Sequence, residues 1–147
     1  MFTYLKRKSS FIIISTLSLL ASCATISNFD QYSYTQATSL KVDALNTMTN
    51  ATDSFSLHQA DVAQLRLQLS KAYEYEKNKP KNEVTSKMWI ILIDSNGTSL
   101  GGFLTRWQKD SKLDTAFINQ SKILVSQSFD GISGLESGKI KATAIVN

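Results

Sequence analysis

The sequence is poor in residues that staple, break or ligate. It holds one cysteine, one proline and one histidine among 147 residues. A lone thiol excludes an internal disulfide, and one histidine with one cysteine is too few for a soft-ligand metal site. Pro80 is the only proline and no glycine precedes Gly97, so residues 29–79 lack both strong helix breakers. No apolar run reaches the roughly twenty residues that a membrane-spanning helix needs. Gly97, Gly101 and Gly102 fit neither GxxxxGK[ST] nor GxGxxG, so no phosphate loop is indicated. Asp94-Ser95-Asn96-Gly97 makes a turn, with too few acids for a calcium loop.

The amino terminus carries a targeting pattern. Lys6, Arg7 and Lys8 form a basic cluster, and Phe11 to Leu20 is a short apolar run followed at once by polar sequence. That order is the order of a secretory signal. If residues 1–22 are removed, 125 residues remain (147 less 22), enough for one domain. Three of the 16 basic side chains leave with them, so 13 basic face 12 acidic ones. The high isoelectric point therefore belongs to the leader, and a nucleic-acid partner, which needs a concentrated basic surface, is not expected.

Leu20-Ala21-Ser22-Cys23, which contains the only cysteine, resembles the lipobox of bacterial lipoproteins at all four positions. The resemblance implies diacylglyceryl transfer to the Cys23 thiol, cleavage after Ser22, and then acylation of the new amino terminus by a fatty acid such as palmitate. Two or more acyl chains hold a protein on a membrane where one holds it only marginally. Ala24 in place of aspartate implies, by the sorting rule of such proteins, the outer membrane, with the chain facing the periplasm or the cell surface. The organisation expected is a signal peptide over 1–22, a lipidated tether over 23–34 and a single helical domain over 35–147, with a mobile tail from about 131.

The domain announces itself by a seven-residue repeat. Ala37, Ala44, Ala51, His58, Leu65 and Ala72 recur at that interval, interleaved with Lys41, Met48, Phe55, Val62, Leu69 and Glu76. Such a repeat marks helices packed at a shallow angle. One helix of some fifty residues would keep the phase. A hairpin near residues 50–56 agrees better with Asn50, Thr52, Asp53 and Ser54, which are poor helix formers, and Ser56 with Gln59 offers a capping box. Both readings predict helix throughout, and the stripe also admits helix-mediated oligomers.

The remainder reads as shorter helices. Asn82 can cap a helix beginning near Glu83, although Met88 to Ile93 is also an apolar run that suits a buried strand. Phe103, Leu104 and Trp107 suggest a short helix. Ser111 to Asp114 resembles a capping box opening a helix to about Phe129. Glycines at 131, 134 and 138 predict a loosening end. The fold class expected is mainly α, a long helix or hairpin packed by two or three shorter helices. The alternative is α+β with short strands near 88–93 and 140–146.

Catalytic and cofactor chemistry is not expected. His58 sits on the apolar stripe without a partner nucleophile at a telling spacing, and Glu74 and Glu76 would point to different sides of a helix. Tyr73 and Tyr75, beside Lys77, Lys79 and Lys81, form an aromatic and basic patch. With Trp89 and Trp107 they are the candidate partner surface, although tryptophans equally fill a small core. The functional expectation is a non-enzymatic, membrane-anchored lipoprotein presenting a helical surface to an envelope protein. An immunity or exclusion factor against phage, plasmid or toxin is the alternative, and an envelope enzyme comes third.

Overall fold

The computed structural model describes residues 29–145. The expected signal peptide and the lipobox residues Leu20, Ala21, Ser22 and Cys23 lie outside the described residues. Within them the chain is mainly α, with no strand.

The first helix, α1, spans Gln31–Thr49. Asp30 starts it: its backbone is extended, and Oδ1 accepts the Tyr32 and Ser33 amides at 2.9 and 3.3 Å. A carboxylate there satisfies amides that the first turn would leave bare. Helix thus begins inside the stretch expected to be tether, and Ser33 is already buried. The expected tether over 23–34 is corrected at this end.

The seven-residue stripe belongs to a hairpin. α1 gives way to 3-10 turns at Asn50–Thr52 and Phe55–Leu57, and α2 spans Gln59–Lys77. The phase survives the corner because the corner is itself packed. Ala51 is buried and its carbonyl accepts the Leu113 amide at 2.8 Å, while the Phe55 amide donates to Ser111 O at 2.8 Å. The capping box expected at Ser56 and Gln59 does not form: His58 takes the cap position and makes no side-chain cap bond.

Asn82 precedes α3, Glu83–Ile93, but its side chain does not cap the helix. The apolar run 88–93 is helical, not a strand, because Thr85, Trp89 and Leu92 are buried on one side while Ile90 and Ile91 are exposed. α4 covers Leu100–Asp110 and α5 covers Thr115–Glu136. The cap of α5 is Asp114, which accepts the Phe117 amide at 2.9 Å, so the box expected from Ser111 shifts by one turn.

α5 runs through Gly131 and Gly134 instead of loosening there. Both glycines are in tight contact: a Cβ would meet the Met88 methyl at 2.6 Å in the first case and Ile140 Cδ1 at 2.5 Å in the second. Gly138, at φ +70°, ends the helix, and the Ile140 amide returns to Gly134 O at 3.0 Å. A left-handed glycine closing a helix is a common C-terminal stop. The expected mobile tail from 131 and the strand at 140–146 are therefore corrected to helix, turn and a 3-10 turn at Ala142–Ala144.

Four helices close a ring: α1 packs on α2 and α5, and α3 on the same two. Cross-links fix the directions. Lys41 meets Asp130 and Lys122 meets Thr49, so α1 and α5 run antiparallel. Lys79, just past α2, reaches both Ser33 and Glu136. The result is an up-down-up-down bundle, with α4 closing the end opposite Asp30. Trp89 and Phe129 meet edge to face at 6.0 Å in its core.

Candidate functional site

The structure separates the four residues expected to form a partner surface. Trp89 and Trp107 are 1% and 0% exposed, so they are core and not surface. Trp107 Nε1 donates to Asp53 O at 3.1 Å and its ring meets Phe55, whereas Trp89 Nε1 has no hydrogen-bond partner among the described residues. Tyr73 is half-buried under the Lys77 ammonium. Tyr75 is exposed, yet engaged: its hydroxyl donates to Asp30 Oδ2 at 2.7 Å and its ring packs on Tyr32. It fastens the start of α1 to the end of α2.

His58 braces the corner. Its Nε2 lies 3.4 Å from Asp53 Oδ2, its Nδ1 3.6 Å from Asp61 Oδ2, and its ring lies against Trp107. The Ser54 hydroxyl bonds to those of Ser56 and Ser111, at 3.1 Å each. That is a structural arrangement. Glu74 and Glu76 diverge as expected: Glu74 is exposed and pairs with Lys77, while Glu76 points inward.

The most concentrated chemistry is at the end of the bundle where α1 begins and α2 and α5 finish. Lys79 was expected at the surface, but its side chain is turned in and only 11% exposed. Its Nζ lies 2.6 Å from Glu136 Oε2, 3.2 Å from Glu76 Oε2, 3.0 Å from Ser33 Oγ and 3.8 Å from Asp30 Oδ2. Asn82 donates to Glu76 Oε2 at 2.6 Å and to Glu76 O at 2.9 Å, which is why it is not free to cap α3. Lys81, at φ +55°, supplies the turn that aims Asn82 inward.

One ammonium thus serves three carboxylates. Burial pushes the Glu136 carboxyl above the usual range; the Glu76 charge adds to that and Lys79 opposes it. The Thr85 hydroxyl also favours the charged form, although its oxygen and Glu136 Oε1 stop short of hydrogen-bond geometry. Burial works against the Lys79 ammonium too, but Glu136 and Glu76 outweigh it and raise its pKa. Burial pushes Asp30 up as well; the Tyr75 hydroxyl, the Ser33 and Tyr32 amides and Lys79 hold it below its ordinary value. This cluster locks four helix ends together.

A second feature is apolar. Ile90 and Ile91 on α3, and Ile123 and Leu124 on α5, are about half exposed or more. Ile91 and Leu124 line one shallow groove of about 370 Å³ with Thr98, Ser99, Gln127 and Ser128. Exposed branched side chains gathered on adjacent helices mark interaction surfaces more often than single ones do. The sequence signal was present in Ile90-Ile91, but without the helix phase it merged with the core run. Among the described residues, no cluster of three or more His, Cys, Asp or Glu suits a metal ion, and no helix is long and apolar enough to cross a membrane. No protein family, curated protein or solved structure matches this chain.

Proposed function

We propose that the chain is a lipid-anchored protein of the bacterial envelope that presents its helical bundle to a protein partner and catalyses no reaction. The observation that carries this reading is Leu20-Ala21-Ser22-Cys23, standing behind Lys6-Arg7-Lys8 and the apolar run Phe11 to Leu20. A diacylated or triacylated Cys23 holds the domain at a membrane without a spanning helix. Seven residue steps lead from Cys23 to the Asp30 cap (30 less 23), a reach of about 25 Å when extended. The domain therefore stays close to the surface that holds its anchor. The locked helix ends at Asp30 suit a domain tethered at that point, and the exposed α3–α5 face suits a partner.

The test is fractionation with labelled palmitate. Wild-type chain takes up label and sediments with membranes; Cys23→Ser takes up none and is released. Equal fractionation of the two, with no label in either, would overturn the reading.

A further inference from the structure

The outer stripe of α3 has an internal symmetry. Glu83, Lys87, Ile90 and Asp94 follow one another at intervals of four, three and four, so they line one face of the helix and its C-cap. All four are exposed, and Ile91 flanks them on the side of Leu124. Lys87 and Asp94 are equidistant from the point midway between Ile90 and Ile91. They are seven residues apart, about 10 Å along the axis, which is too far for them to pair within one chain. Two copies of α3 laid antiparallel across that midpoint bring each Lys87 opposite the other copy's Asp94, and Ile90 opposite Ile91. An isologous pair requires this self-complementarity: residue i meets j, and j meets i.

We propose that the α3–α5 face is a self-association surface that takes a second copy of this chain about a two-fold axis passing between Ile90 and Ile91. Apolar contact at the centre, with Leu124 beside it, removes exposed surface from water. Two Lys87–Asp94 pairs at the rim set the register, which is the usual service of rim charges. The axis places the two Asp30 ends at opposite ends of the pair. Both copies can reach one membrane when the bundle axes lie along it. This inference rests on reading the bundle as an interaction protein, and not on acylation of Cys23.

The test is sedimentation equilibrium of the purified full chain in detergent, wild type beside Cys23→Ser. Both are expected to form dimers with the same dissociation constant. Lys87→Asp alone sets acid against acid twice and weakens the dimer about tenfold or more, while the double reversal Lys87→Asp/Asp94→Lys restores it. Ile91→Lys abolishes it. All these positions are exposed, and unchanged circular dichroism shows that the fold is kept. Three results would overturn the proposal: a monomeric wild type, a double reversal as weak as the single, or association that disappears with Cys23→Ser.

Discussion

At the scale of single residues, Lys79 is the side chain on which most depends. It is the cation for Glu76 and Glu136, both almost fully buried, and for Asp30 at the start of α1. Removing one member of a buried ion pair leaves the rest uncompensated, at a cost of roughly 3–5 kcal/mol. Because Lys79 keeps some contact with water, Lys79→Met should cost about 2–3 kcal/mol in urea denaturation at neutral pH. Part of that loss should return on acidification, as the stranded carboxyls take up protons.

The wild type carries its own pH signature. The stability due to the raised Glu136 is fully present below 4.5 and falls as pH rises through its higher folded value. The stability due to the lowered Asp30 is present above 3.8 and falls as pH drops through its lower folded value. Stability should therefore rise on acidification towards 4.5 and fall again below 3.8. Glu136→Gln should lose the first slope and keep the second; a variant that kept both would contradict the assignment. Sequence spacing placed Glu76 on the buried stripe but could not supply its partners. Asp30 lies in the stretch whose composition suggests a tether and Glu136 among glycines that suggest a loosening tail, so the cluster exists only once four helix ends meet.

At the scale of elements, the sequence pattern located the faces better than the ends. Along α1, the corner and α2 the repeat marks Ala37, Ala44, Met48, Ala51, Val62, Leu65, Leu69 and Ala72, all of which are buried. Helix boundaries depended on which polar side chain won a competition. Asp114 captured the Phe117 amide where Ser111 was expected to begin the helix, and Glu76 drew Asn82 away from the cap of α3. Helix propensity alone predicts that the glycines loosen the chain, whereas several stand where a neighbour leaves no room for a Cβ. A Cβ on Gly102 would collide with the Gly97 carbonyl, and one on Gly101 with the carbonyls of Ile93 and Asp94. These two residues let α4 begin against the end of α3. Gly102→Ala should therefore destabilise the fold by about 2 kcal/mol, against the usual gain from alanine in a helix, with thermal unfolding as the check. An unchanged or raised midpoint would mean that this junction is looser than described.

At the scale of the molecule, a mainly α domain was readable from the absence of breakers and the heptad phase. The ring order of four helices was not, because it is set by long-range pairs such as Lys41–Asp130 and Lys122–Thr49 that no spacing announces. The proposed function depends on a different stretch, four residues ending in the only cysteine. The intact mass of the protein purified from membranes tests it most directly. Acylation at Cys23 requires a chain that has lost residues 1–22 and whose first residue carries diacylglycerol, with or without a further acyl group. A chain that retains those residues, or one that begins elsewhere with an unmodified Cys23, would contradict it.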